Sequence, residues 1–540
     1  MIKIATVQQM REIEASADAA GVSYAAMMDN AGEAVALRGL AFLETLSDNA
    51  PSRVLVLVGP GNNGGDGLVA GRVIAARSDA VVRFYLLRRR PHDDPVFAAA
   101  RDAGLRMDHA DDDPGFLLLS QLVASADLLI DALFGIGTQP PLRLDAARMI
   151  DAVQQALGKP SQVDPAIIFP RQVPEVRADA RRIIAVDCPS GLNCDSGDID
   201  MCALQADETV TFIAAKPGLL AFPGAHAVGD LIYASAGVPA SLPNLQALSS
   251  RLVDAQAVRS ILPPRPLDAN KGTFGRVLVV GGSSNYIGAP GLSAQAAYRM
   301  GAGLVTIATI KQNCLILAST LAEPIWIPCP DLDGRLSLDA LDQIRDAVPL
   351  CDAVVIGPGL GQHVQMPDFV IGVLSKAAEL DRPTVIDADA LNALASMTEW
   401  WKRVPRRSVL TPHPGEMARL SGLSIREIQA DRLQIARSCA GAWNTTLLLK
   451  GAHTVIASPE RASILPFKTT ALATAGTGDI LSGMISALLS QDLDPHDSAA
   501  AAGYIHGLAG EAAAGGSDRV VIASDVLSAL RDVMRQIDTL

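Results

Sequence analysis

Cysteine is scarce in this chain of 540 residues: there are 7, an odd number, and no two have CxxC spacing. Cys188, Cys194 and Cys202 fall close together, but no histidine pattern completes a zinc site. Buried or idle thiols in a reducing compartment are expected. No apolar run reaches the length of a membrane span. The opening residues, Met1 to Ala5, lack the apolar region of a signal peptide. A cytoplasmic protein without a membrane partner is expected. Basic charge is in deficit: the formal net charge of -13 argues against nucleic acid as a main partner. The short basic runs Arg88-Arg89-Arg90 and Arg181-Arg182 read as solvated faces.

What is present is an ordinary globular balance, 49% hydrophobic and 19% charged, in a chain too long for one core. Residues 6–46 read as two helices, with a capping box from Thr6 to Gln9 and a cap at Ser23. Arg53 to Val58 reads as a buried parallel strand, apolar almost throughout. It runs into a polar, glycine-rich loop, Gly59 to Gly67, and then a helix from Leu68 to about Arg77. Strands at 81–87 and 128–130 follow, with a helix near 94–104 between them. A last strand is expected at 183–186. Strands alternating with helices predict a doubly wound, Rossmann-like parallel sheet. Ligands of such sheets bind beyond the carboxyl ends of the strands. The polar residues gather at those ends: Asn62 to Asp66, Asp131, and Asp187 to Gly191. Gly59 to Gly64 matches GxGxxG, but no acidic residue ends the next strand, and GK[ST] is missing, so neither a dinucleotide fingerprint nor a P-loop is complete. Asn63, Asp131 and Ser190 offer oxygen ligands from three strand ends, enough for a hydrated or potassium-like cation.

Pattern weakens from Pro239 to Asp268, which places a boundary near 245. Beyond it, strands at 276–280, 304–308, 353–356, 384–386, 409–410 and 446–449 again end in polar or glycine-rich turns, with helices at 288–300 and 493–513. His413, held between two prolines, and Lys450 stand at such ends. His506, on an Ala-rich helical face, reads as core. The most informative run is Thr474-Ala475-Gly476-Thr477-Gly478-Asp479, followed by the apolar helical pattern of Ile480, Leu481, Met484 and Leu488. It reads as a loop opening a helix, whose first N–H groups form a ready phosphate site. Asp479 beside such a site could take a proton from a hydroxyl or hold a metal. Standing alone it could merely favour the helix dipole, worth about 0.3–1 kcal/mol.

The motifs Gly61-Asn62-Asn63-Gly64-Gly65-Asp66-Gly67, Asp131-Ala132-Leu133-Phe134-Gly135 and Val186-Asp187-Cys188-Pro189-Ser190-Gly191 resemble the NAD(P)H-hydrate epimerase domain. The resemblance covers residues 1–240. It implies that Asn62, Asn63, Gly64, Gly65, Asp66, the loop Gly135, Ile136, Gly137, Thr138, Gln139, Pro140 and Pro141, and Asp187 bind the hydrated nucleotide. Asp187 would be catalytic, and Asn63, Asp131 and Ser190 would hold potassium. The loop departs from the family, which usually continues with glycine and an arginine-containing stretch. The unpatterned run 159–174 reads as a surface insertion.

The second half, 250–540, resembles the ribokinase-like kinases and, more closely, the ADP-dependent NAD(P)H-hydrate dehydratase. Six motifs occur in family order: 271–275, 301–305, 357–361, 411–416, 450–452 and 473–479. By position, Gly303, Gly359, His413 and Asp479 would contact the hydrate, with Asp479 catalytic. Lys450, Gly451, Ala452, His453, Thr454 and Gly478 would contact the adenine nucleotide. One departure is Thr470-Ala471-Leu472, where the family often has Asn-Pro-Gly. The fold implied is two three-layer α/β/α domains. The activity implied is a bifunctional repair enzyme: it epimerises NAD(P)HX and dehydrates it with ADP as co-substrate, and potassium and magnesium are the accompanying ions. A homo-oligomer is expected. Two rivals share parts of this pattern, a small-molecule kinase using ATP and a non-enzymatic nucleotide-binding scaffold. The first has no use for the Asn/Asp cluster at 62–66; the retained Asp131, Asp187 and Ser190 oppose the second.

Overall fold

The computed structural model describes residues 1–46, 50–158 and 181–539. The run 159–174, expected to be an insertion, lies outside them. The chain divides into two compact units, Ile2–Leu248 and a second unit that comprises Ser249–Leu540.

The N-terminal unit is built on a seven-stranded sheet. Its order is Arg106–His109, Val81–Leu86, Arg53–Val58, Leu128–Ala132, Arg182–Val186, Glu208–Phe212 and Asp230–Ala234, every neighbouring pair parallel. Both faces are buried. Val54, Val56 and Val58 pack with the helices Val7–Ala19, Tyr24–Leu43 and Asn62–Arg77, whereas Leu55 and Leu57 pack with Leu117–Ser125 and Leu144–Leu157. A central parallel strand covered on both sides must be apolar at every position, which is why 53–58 reads so clearly. The Thr6–Gln9 capping box and the Ser23 cap form as expected.

Three expectations change. The helix expected from Leu68 starts at Asn62, with Gly61 as its cap. Glycines 64, 65 and 67 lower helix propensity, yet each is needed for close packing: a Cβ would lie 2.1 Å from the Gly59 carbonyl oxygen, 2.6 Å from Met28 Sδ and 2.4 Å from Ala132 Cβ. Tertiary packing overrides propensity here, so the polar residues stand on the first helical turns and not in a loop. Residues 183–186 are not the last strand, since 208–212 and 230–234 extend the sheet. The basic runs are not simply solvated. Arg90 is half-buried against Asp94 and donates to the carbonyls of Gly59 (2.9 Å) and Gly61 (3.0 Å), pinning the start of the polar helix. Arg182 joins Arg38 on the buried carboxylate of Glu208.

In the C-terminal unit the strand order is Ser250–Leu252, Ala462–Ile464, Val455–Ala457, Thr446–Leu449, Ser408–Leu410, Thr384–Ile386, Ala353–Ile356, Arg276–Val280, Leu304–Ile310 and Ile325–Cys329. Pairing is parallel except on the two sides of 455–457. Val277 and Val279 face a core shared with helices Ala289–Arg299, Thr477–Ser490, Pro495–Ala514 and Ala523–Thr539. Leu278 and Val280, of the other parity, are equally buried, so this sheet too is covered on both faces. His506 is buried as expected. All seven cysteines are free thiols, five buried and two half-buried.

Candidate active sites

At the carboxyl edge of the first sheet lies a cavity of about 1100 Å³. Asn62, Asn63 and Asp66 line it from the first turns of their helix, as do Gly135, Ile136, Gly137, Thr138, Gln139 and Pro141 from the loop, and Asp187. Gly64, Gly65 and Pro140 belong to the same segments but do not line it. These groups converge because parallel strands deliver every carboxyl end to one edge.

Asp131 is fully buried. Ser190 donates to it through its backbone N–H (2.8 Å) and its hydroxyl (2.6 Å), and the Leu133 N–H adds a longer bond of 3.3 Å. Burial pushes the carboxyl above its ordinary range, and those bonds pull the other way. No cationic side chain pairs with it among the described residues. Asn63 is also buried, beside Gly135, and its Nδ2 has no hydrogen-bond partner. The amide's oxygen and nitrogen are interchangeable assignments, so the group can turn an oxygen inward. A buried carboxylate without a counter-charge, a hydroxyl and an amide with an unused atom suit a large monovalent cation.

Asp187 occupies the left-handed region, φ 65°. Its Oδ1 accepts from the Lys216 ammonium, the Thr211 hydroxyl (3.1 Å) and the Phe212 N–H (3.3 Å). Lys216, fully buried, and Glu14 line the same cavity, and sequence reasoning missed both. The available signal was Lys216 itself, a lone lysine in the apolar run Phe212 to Leu220.

In the C-terminal unit the helix Thr477–Ser490 opens at Gly476, φ 92°, and Asp479 stands in its first turn as expected. Burial, and then the neighbouring Asp387, push the Asp479 carboxyl up to about 7, against Lys450. Lys450 is no solvated lysine: its ammonium donates to Asp387 Oδ1 at 2.9 Å and lies 3.8 Å from Glu416 Oε2. Asp387 also accepts from Ser482 Oγ at 2.5 Å. Burial alone would raise its carboxyl; Lys450 and Ser482 reverse this and hold it below the usual range. Gly478 packs over the Lys450 ammonium, 3.4 Å from where its Cβ would be. His413 caps the helix Pro414–Ser421, its Nδ1 accepting from the N–H groups of Gly415 (3.0 Å) and Glu416 (3.4 Å). The proton is therefore on Nε2, and burial, Lys450 and Arg419 all disfavour a second one. Burial raises Glu416 to about 6. Asp387 and Glu416, present at strand ends in the sequence, had been given no role.

Gly359 follows strand 353–356 with φ 62°, and Ser283 Oγ donates to its carbonyl at 2.8 Å. Gly451, with φ 140°, and Thr454, whose hydroxyl donates to the Gly451 carbonyl, form the turn with Ala452 after Lys450. The His453 imidazole is buried against the Leu465 carbonyl (3.2 Å) and the backbone N–H of His453 donates to the Phe467 carbonyl (2.7 Å), so the ring is turned into the protein. Gly303 is not brought to this edge. It precedes strand 304–310, at the amino end of the sheet, where a Cβ would strike the Lys271 carbonyl oxygen at 1.7 Å. Packing alone demands glycine there. Among the described residues no group of three or more His, Cys, Asp or Glu could hold a metal ion.

Residues 24–218 match the family model described as YjeF-related protein N-terminus, and 277–531 match the one described as NAD(P)H-hydrate dehydratase. A bifunctional NAD(P)H-hydrate repair enzyme of Moorella thermoacetica is 40% identical over 502 residues, covering 91% of this chain and 88% of the relative. The chain belongs to the bifunctional NAD(P)H-hydrate repair enzymes. An enzyme of the same description from Escherichia coli is 34% identical, with 96% of this chain and 91% of the relative covered. Among solved structures, the ADP/ATP-dependent NAD(P)H-hydrate dehydratase of Bacillus subtilis is 31% identical, with a TM-score of 0.47, over 54% of this chain and all of its own length.

Proposed function

We propose that the two units are the two catalysts of NAD(P)H-hydrate repair, an epimerase in Ile2–Leu248 and an ADP-dependent dehydratase in Ser249–Leu540. The observation that carries the reading is that each half, matched by its own family model, has its own parallel sheet and its own cluster of polar groups at the carboxyl edge. A vitamin or sugar kinase would share Asp479 and the anion loop, but relatives alike from end to end are repair enzymes.

In the first unit, the cavity takes the hydrated nicotinamide nucleotide against Asn62, Asn63, Asp66, the 135–141 loop and Asp187. Asn63, Asp131 and Ser190 would hold potassium, and the ion would supply the missing counter-charge for Asp131. In the second unit, Asp479 takes the proton of the ring hydroxyl as that oxygen attacks the β-phosphate of ADP. AMP is released in that step, and the phosphate ester then leaves, pushed by the ring nitrogen lone pair; the iminium carbon's neighbour gives up a proton, carried away with the phosphate, and NAD(P)H is restored. His413 Nε2–H and Gly359 border the hydrate. Lys450, Gly478 and the 451–454 turn meet the nucleotide phosphates, whose charge magnesium would help to neutralise. Backbone N–H groups at 476–478 aimed at the transferring phosphoryl are the most capable term, worth about 3–4 kcal/mol each, against about 0.3–2 kcal/mol for the helix dipole. Free thiols fit a reducing, cytoplasmic compartment, and no described helix is long and apolar enough to cross a membrane. Exposed Leu315, Ile316 and the edge-strand Ile325 support self-association as a homo-oligomer.

The test is to separate the gene between codons 248 and 249. The first half alone is expected to interconvert the hydrate epimers without nucleotide, and the second alone to dehydrate one epimer with ADP. Both activities in one half would overturn the assignment.

A further inference from the structure

Lys216 is an expensive residue for a cavity floor: its relative exposure is 0%. A buried ammonium costs free energy unless every proton is used and a counter-charge is near. All three protons are used within the protein, on Asp187 Oδ1, Thr211 Oγ1 (3.0 Å) and the Phe212 carbonyl (3.1 Å). None remains for a ligand. Lys216 therefore acts through Asp187. Three donors gather on Oδ1 of that carboxylate, while Oδ2 receives none from the described residues. One oxygen is fixed and the other is left for whatever fills the cavity that Asp187 lines.

Asp66 lines the same cavity, and its carboxyl accepts no hydrogen bond from the described residues. Its surroundings are Asp187 from the strand end, Glu14 from helix Val7–Ala19, Lys216 from the floor and Arg90, which pins the start of the polar helix. Burial, then the two carboxylates, push Asp66 well above the ordinary range; the two cations oppose this and lose. Two carboxyls whose surroundings are so unequal have the form of an acid and a base.

The substrate chemistry asks for such a pair. Water adds to an enamine at the carbon beside nitrogen, which gives a carbinolamine. Carbinolamines invert as sugars mutarotate, by opening the ring. We propose that Asp187 and Asp66 are the base and the acid of a ring-opening epimerisation, and that Lys216 is the positioning residue that fixes Asp187 for it. Asp187 Oδ2 takes the hydroxyl proton. The carbon–nitrogen bond breaks, its electrons go to nitrogen, and a carbonyl forms. Asp66 gives its proton to the ring nitrogen. After rotation about the adjacent carbon–carbon bond the steps reverse on the other face: nitrogen returns its proton to Asp66 and adds to the carbonyl, and Asp187 reprotonates the oxygen. No oxidant and no co-substrate is consumed.

This rests on the epimerase reading, and the experiment separates the two. Epimer interconversion by the full-length wild type, without ADP and with potassium, comes first: none at all would fail the epimerase reading itself. Given activity, Lys216→Met is expected to lower kcat by roughly 10²-fold or more with KM within about threefold. ADP-dependent dehydration should be unchanged, which reports an intact chain. The same loss should vanish in an Asp187→Asn background, where the Asp187→Asn/Lys216→Met pair should equal Asp187→Asn alone. Additive losses would mean that Lys216 is merely structural. The wild-type rate should fall as pH rises and Asp66 loses its proton; Asp66→Asn should be roughly 10²–10⁴-fold slower and lack that alkaline fall. In oxygen-labelled water the hydrate should keep its own oxygen through epimerisation. Full activity in Asp66→Asn or Lys216→Met, or one solvent oxygen taken up per turnover, would overturn the proposal.

Discussion

Asp479→Asn keeps the shape of the side chain and removes the base, and its consequences run in opposite directions for activity and stability. The Asp479 carboxyl ionises at about 7 in the folded protein, against 3.8 for the free group, chiefly because of burial and the adjacent Asp387. A carboxyl with a raised folded value is worth most to stability below its unfolded value, and that contribution is lost as pH rises through the folded one. The window is therefore roughly pH 4 to 7. Roughly three pH units at about 1.4 kcal/mol each set a ceiling near 4 kcal/mol, and relaxation around the site should leave about 1–3 kcal/mol. Relative to wild type, the Asn variant should thus gain melting temperature between pH 5 and pH 8. Dehydration should fall by roughly 10²–10⁴-fold, the range for loss of a general base. In the wild type, dehydration should rise with pH through about 7 as Asp479 becomes able to accept a proton. Adenine-nucleotide binding and epimerisation should persist. The assay pairs thermal melts across pH with AMP release from ADP and hydrate. Near-normal turnover, or a variant less stable than wild type at pH 8, would refute the reasoning.

Potassium binding is testable without activity. Melting temperature of the wild type should rise with potassium but not with a large organic cation, by linkage to the folded state, whereas Asp131→Asn should show no difference between the two media. A Cβ at Gly359 would lie 2.6 Å from Tyr286 Cβ on a residue with φ 62°, so Gly359→Ala should cost about 1–3 kcal/mol and depress dehydration while sparing epimerisation, as melts and the two separate assays would show.

Much of this fold is legible because parallel strands buried on both faces leave plain signals: 53–58, 276–280 and 353–356 are nearly all apolar, and each ends in a polar or glycine-rich turn. The strands 106–109 and 208–212 were missed because Arg106, Asp108 and Glu208 break that pattern. Arg106 is exposed at the sheet edge, and Glu208 is neutralised by Arg38 and Arg182. Local propensity also failed at 62–67, where glycines that suggest a loop are there to let a helix approach its neighbours. The residues the fold gathers as the pattern suggested are those at strand ends, since topology alone brings Asp131 and Ser190 together beside the helix that carries Asn63. Lys216 was illegible because a lone lysine signals solvent until its buried partner is seen. Gly303 misled in the opposite sense: its motif suggests a ligand, and the structure shows a backbone contact at the other end of the sheet.

The central claim is repair by two activities in one chain, and a single incubation tests it. The full-length protein is given a mixture of both hydrate epimers with and without ADP, and NAD(P)H absorbance is followed together with the separated epimers. The account predicts that with ADP both epimers are consumed, NAD(P)H recovers completely and one AMP appears per hydrate. Without ADP the epimers should equilibrate and no NAD(P)H should form. Failure to recover NAD(P)H with ADP, or recovery of only one epimer's share, would contradict it.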